Sequence, residues 1–132
     1  MVIRPRLFLA DDHDEILQAE AEMLQPHFDI IGVAHDGVSL VADVERLHPD
    51  VVVLDIMMPR MNGIEALRRL INQGCEAKFV FLTIHSEEEF VNVCMSEGAR
   101  GYVWKARMKA HLIPAVYSAL KGEAYVSPLT SA

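Results

Sequence analysis

The sequence predicts an α/β fold, a doubly wound parallel sheet built from five consecutive strand-helix units, (βα)5. Short apolar runs rich in β-branched residues alternate with stretches whose apolar residues recur at helical spacing. That alternation gives a parallel sheet, because right-handed crossovers lay helices on both of its faces. The run Val51-Val52-Val53-Leu54 is apolar at every position and too short for an ordinary helix, as expected of a strand buried on both faces. It ends at Asp55, and the turn formers Pro59-Arg60-Met61-Asn62-Gly63 follow. The carboxylate is therefore expected at the rim of the sheet where open parallel sheets bind ligands, unless it only caps the next turn.

Arg6 to Ala10 reads as the first strand, running straight into Asp11-Asp12-His13-Asp14. Asp14 or His13 is expected to start the first helix, since acids favour a helix N-terminus. In that helix Ile16, Leu17, Ala21 and Leu24 fall near one face, Gln18, Glu20 and Glu22 are read as facing elsewhere, and Pro26 marks the end. Phe28 to Ala34 is the second strand, punctuated by Asp36-Gly37. Val38 to Leu47 is the second helix, with Leu40, Val41, Val44 and Leu47 inward. Beyond Gly63, Ile64, Leu67, Leu70 and Ile71 mark a third helix that Gly74 stops.

Lys78 to Thr83 is the fourth strand. Ser86 is read as the N-cap of a fourth helix, with Glu87, Glu88 and Glu89 in its first turn and Phe90, Val91 and Cys94 on its inner face. Gly101-Tyr102-Val103-Trp104 is a short fifth strand ending at Lys105; Tyr102 and Trp104 are read as one core and one exposed residue. The last helix is expected from about Lys109 to Lys121, or from a later start if Pro114 belongs to its first turn. Residues 1–122 form one domain in this reading. Residues 123–132 are a tail or the start of a connection.

Composition bounds the function. Apolar residues make up 52% of the chain and charged ones 23%, a globular balance. No apolar run approaches the roughly 18 residues that cross a bilayer, and Met1-Val2-Ile3-Arg4-Pro5 lacks an export core, so a soluble cytoplasmic protein is expected. A net charge of -7 repels nucleic-acid phosphates, so DNA would be reached only through another domain. Cys75 and Cys94 have no partner His at ligand spacing and read as ordinary reduced thiols.

The strand ends carry the chemistry. Asp11-Asp12, Asp55, Thr83 and Lys105 all end strands on one rim of a parallel sheet, which gathers three carboxylates, a hydroxyl and an ammonium around one cleft. Carboxylates so placed either take up protons or recruit a cation. An oxygen-only set suits Mg²⁺, usually completed by water and a phosphate oxygen. Lys105 and Thr83 would meet further phosphoryl oxygens, and one aspartate can act as a nucleophile that forms a phosphoryl adduct. His13 reads as a metal ligand or a solvated loop residue, and His85 as a tuner of hydrolysis or a solvent-facing side chain. Met57, Met58 and Met61 supply a soft surface or pack the loop.

These residues resemble the receiver domain of two-component response regulators. The marks are Asp11-Asp12, the run Val53-Leu54-Asp55-Ile56-Met57-Met58-Pro59-Arg60-Met61-Asn62-Gly63, Thr83, and Gly101-Tyr102-Val103-Trp104-Lys105. Gly122 and Tyr125-Val126-Ser127-Pro128 resemble the NarL/FixJ subfamily, whose receivers are joined to a LuxR-type helix-turn-helix. The resemblance implies a CheY-like, flavodoxin-like sheet of order 2-1-3-4-5. It implies that Asp55 accepts a phosphoryl group from a sensor histidine kinase or phosphotransfer protein. Mg²⁺ would be held by Asp12, Asp55 and the Met57 backbone carbonyl, with Asp11 acting through a water. Lys105 would pair with the phosphoryl group, Thr83 would move to it, and Tyr102 would pass from exposed to buried. Such a domain assists only its own phosphorylation and dephosphorylation and is not an enzyme acting on an external substrate. Its output face would be helix four, strand five and helix five, with helices one and five as another pairing surface for a homodimer.

Some residues depart from the family pattern. Ile84 follows Thr83 where a small residue is usual, and with Met57 and His85 it flanks the path of a hydrolytic water. Asn62 stands where Asp is common, and Ala106 where many receivers have Pro. Two other function classes remain beside the phosphorylated receiver. One is a stand-alone adaptor that works without phosphorylation. The other, an aspartyl-phosphate hydrolase of the haloacid dehalogenase type, expects an acid where this chain has Met57 and a cap domain it has no length for.

Overall fold

A computed structural model describes residues 4–128. Its strands are β1 (Arg6–Ala10), β2 (Asp29–Ala34), β3 (Val51–Leu54), β4 (Lys78–Thr83), β5 (Gly101–Trp104) and β6 (Tyr125–Val126). The helices are α1 (Asp14–Leu24), α2 (Gly37–Leu47), α3 (Gly63–Asn72), α4 (Glu88–Ser96) and α5 (Met108–Leu120), with a 3-10 turn at Lys105–Arg107. All strand pairs are parallel, in the order β2-β1-β3-β4-β5-β6. The expected order 2-1-3-4-5 is present. The expected five strands become six, because Tyr125 and Val126 pair with Gly101 and Tyr102.

Alternation along each strand divides the core in two. Phe8, Val52, Leu54, Phe79 and Phe81 meet Leu40, Val44, Leu67, Leu70 and Cys94 from α2, α3 and α4. Leu7, Leu9, Val51, Val53, Val80 and Leu82 meet Leu17 and Leu24 of α1 and Leu112, Val116 and Ala119 of α5. β3 is buried at every residue, so its apolar run has no polar face to show.

Several local readings are corrected. Tyr102 and Trp104 lie two apart on β5 and so share a face; Tyr102 is fully buried and Trp104 half-buried, both on the α4 side. α4 is capped by Glu87, not Ser86, with no side-chain cap bond. Pro114 lies inside α5, which begins at Met108; its ring faces solvent while Leu112, Ala115, Val116 and Ala119 bury the opposite side. Ile71, expected inward, is 38% exposed. Gly74, at φ +85°, ends α3 as expected, in a conformation that favours glycine. The described peptide bonds are all trans. Residues 1–3 and 129–132, which include parts of the N-terminal and tail readings, lie outside the described residues.

Candidate functional site

The sheet brings Asp11 and Asp55 together. Beyond β1 and β3 the ladder continues: Asp11 N–H donates to Ala34 O and Asp55 N–H to Ala10 O, each at 3.1 Å. Both side chains are buried, at 1% and 5% exposure. Lys105, at the end of β5, fills the space between them. Its ammonium donates to Asp11 Oδ2 at 2.7 Å and to Asp55 Oδ2 at 2.8 Å. Burial acts to lower the ammonium's pKa, but hydrogen bonds and charges from the two aspartates outweigh it and raise that pKa. Asp55 Oδ1 accepts the Ile56 N–H at 2.7 Å, which fixes the carboxylate plane.

The loop behind Asp55 needs Gly63. A Cβ there would stand 2.0 Å from the Asp55 carbonyl oxygen, so only glycine lets α3 start this close. Asn62 caps that helix: its Oδ1 accepts the Glu65 N–H at 2.9 Å, and its Nδ2 donates to Glu65 Oε1 at 2.7 Å. Asparagine here therefore serves α3, outside the aspartate–lysine bridge.

Asp12 is exposed and lies beside Asp11 at the same rim. His13 is exposed, and its ring lies against both acids. Its Nδ1 lies 3.0 Å from Asp11 Oδ1 and 3.0 Å from Asp12 Oδ1. Asp11, Asp12 and His13 offer ligand atoms that all lie within 4.8 Å of one another. The two carboxylates supply oxygen ligands of the kind a hard divalent cation takes, while the imidazole nitrogen lies against both of them. The second Asp55 oxygen, by contrast, is turned to Lys105.

Thr83 is fully buried, and its Oγ1 accepts the His85 N–H at 3.3 Å. Tyr102 already lies inward: its hydroxyl donates to His85 O at 2.6 Å. Desolvation, with smaller effects from Cys94, Glu87 and Asp55, raises the Tyr102 pKa and keeps the phenol neutral. Met57 is 57% and Ile84 75% exposed, whereas the His85 ring stacks on Phe90 with centroids 4.6 Å apart. A groove of about 720 Å³ lined by Pro49, Asp50, Cys75 and Lys78 opens at the opposite strand edge and holds none of these residues. Cys75 and Cys94 are free, and burial pushes the Cys94 thiol up to about 12.

Glu20 was missed. Expected to face away, it is 1% exposed, and its Oε2 is buried with no hydrogen-bond partner among the described residues. Burial first, then the charges of Asp11 and Asp55 against that of Lys105, raise its pKa well above the usual carboxylate range. It is a fourth carboxyl within the field of the site.

A doubly wound parallel sheet with a lysine-bridged aspartate pair at its carboxyl rim has the architecture of the CheY-like receiver fold. The response regulator receiver domain model matches residues 7–117, and the chain belongs to that family. It is 35% identical over 125 residues to the transcriptional regulatory protein DegU of Brevibacillus brevis, covering 93% of this chain and 53% of that one. It is 30% identical over 123 residues to the nitrate/nitrite response regulator protein NarL of Escherichia coli K12, covering 92% of this chain and 57% of that one. A two-component response regulator of the LuxR family from Aurantimonas sp. SI85-9A1 superposes with a TM-score of 0.90 at 28% identity, over 96% of this chain and 91% of that one. Relatives and solved neighbours thus group it with NarL/LuxR-family receivers. The chain spans little more than half the length of those curated relatives. Among the described residues no helix is long and apolar enough to cross a membrane.

Proposed function

We propose that the domain is a phosphorylation-dependent switch in which Asp55 takes a phosphoryl group from a phosphohistidine on a sensor kinase or phosphotransfer protein. The observation that carries this reading is the buried Lys105 ammonium bridging Asp11 and Asp55. The P–N bond of the donor breaks as a bond forms from an Asp55 oxygen to phosphorus, and Lys105 is already placed to balance charge on the transferred group. Asp12 and Asp55, with the Met57 carbonyl, would hold Mg²⁺, with Asp11 acting through a water; when bound, the ion supplies positive charge for the phosphoryl oxygens. Asp55 is held by the Ile56 N–H and Lys105, so it needs little reorganisation to react.

Thr83 would give up its bond from His85 to reach the phosphoryl group, and the α4-β5-α5 face would change partners, a second copy of the chain among them. The sheet extends to Val126, so the connection to a helix-turn-helix output domain would begin after β6. The domain turns over no external substrate in this reading.

Intact mass after incubation with Mg²⁺ and a small phosphoryl donor tests the chemistry. A phosphoryl adduct is expected on the wild type and none on Asp55→Asn. Absence from both, with a phosphohistidine donor also tried, would favour an adaptor that works without phosphorylation, the reading that Ile84 supports by standing 75% exposed beside Thr83. Ile84, with Met57, is expected to slow water's approach to the aspartyl phosphate. Ile84→Ala should therefore lose the adduct several-fold faster in a timed mass series; an unchanged rate would remove Ile84 from that role.

A further inference from the structure

The segment after α5 is tied to the site through the residue at the middle of β5. Tyr125 N–H donates to Arg100 O at 2.9 Å and Ser127 N–H to Tyr102 O at 2.8 Å. Ser127 is buried, and its hydroxyl accepts the Trp104 N–H at 3.4 Å and lies 3.1 Å from Nδ1 of His111 on α5. Tyr102 is therefore gripped at both ends: its carbonyl by Ser127, its phenol by the His85 carbonyl. The same His85 donates its N–H to Thr83. The path from Thr83 to Ser127 is unbroken.

We propose that β6 is a strap whose pairing with β5 is coupled to the phosphoacceptor site through Thr83, His85 and Tyr102, so that residues 125–128 are held in one of two states, paired or released. This rests on the receiver reading of Asp55. β6 is only two residues long, so its opening is a local event near the low end of the protein's stability range. Gly122, at φ +77° in an exposed turn, precedes it and gives it a point to pivot on. The Trp104 Nε1 is buried with no hydrogen-bond partner among the described residues. Paired β6 and inward Tyr102 occur together, so a ligand that favours inward Tyr102 also closes the strap.

Amide hydrogen exchange on the 132-residue chain, with and without Mg²⁺ and beryllofluoride as the phosphoryl mimic, tests the coupling. Exchange at Tyr125 and Ser127 should slow about fivefold, the low end of ordinary allosteric coupling. Coupling is reciprocal, so Ser127→Pro, which removes the N–H given to Tyr102, should weaken beryllofluoride binding by a similar factor. The double variant His111→Ala and Ser127→Ala, which leaves the backbone donor in place, should weaken it less. A response at Asp55 to Met58 without one at Tyr125 and Ser127 overturns the strap and leaves the receiver reading standing. Silence in both places overturns both, as does unchanged binding by Ser127→Pro for the strap alone.

Discussion

Lys105→Met should reduce phosphoryl uptake by Asp55 about 100- to 1,000-fold, the usual loss when one preorganised charge partner is removed from such a site. It should also destabilise the fold at neutral pH. The Lys105 side chain is 11% exposed and its ammonium touches Asp11 and Asp55 at 2.7 and 2.8 Å; without it two buried carboxylates face each other. Stranding buried charge in this way costs about 3–5 kcal/mol. The variant relieves part of that cost by taking up a proton, because like charges this close raise a carboxyl's pKa. Its folded state then binds more protons than its unfolded state, so the deficit should shrink as pH falls from 7 towards 5. Lys105→Arg is not expected to rescue, since a planar fork does not fit where a single nitrogen bridges two carboxylates. Urea unfolding at pH 7 and pH 5, beside the adduct yield, checks both effects. A variant as stable as wild type at pH 7 would show that the bridge does not hold the site together.

The parts of the site legible in the sequence were those where residue type and position agree. Asp11, Asp55 and Lys105 each follow an apolar run, so the strand end located the side chain and the parallel order brought the three to one rim. The readings that failed did so where type and position conflict. Glu20 stands three residues after Leu17 and four before Leu24, which puts it on the buried face of α1, but a glutamate is ordinarily assigned to water. β6 was hidden because Tyr125-Val126 is too short to carry a period and sits among turn-forming residues. The capping role of Asn62 and the contact of His13 with both acids depend on loop geometry that spacing does not determine.

Replacing Glu20 should raise stability, the opposite sign from Lys105. Its folded pKa lies well above the usual value, whereas in the unfolded chain it titrates near 4.3. Below that pH both states are protonated and the titration of Glu20 contributes nothing to stability. Above it the unfolded state gains by ionising while the folded state keeps its proton, so wild-type stability falls with rising pH by up to about 1.4 kcal/mol per unit until the folded pKa is passed. Glu20→Gln keeps the shape and removes the titration, so the gap between variant and wild type should widen from pH 4 to pH 7. Glu20→Leu also removes the unpartnered Oε2 and should gain about a further 1–3 kcal/mol, the cost of an unsatisfied buried polar group. Chemical denaturation across that range checks the slope. A parallel pair of curves would mean that Glu20 is ionised in the folded state. Lys105 would then face a third carboxylate charge besides those of Asp11 and Asp55.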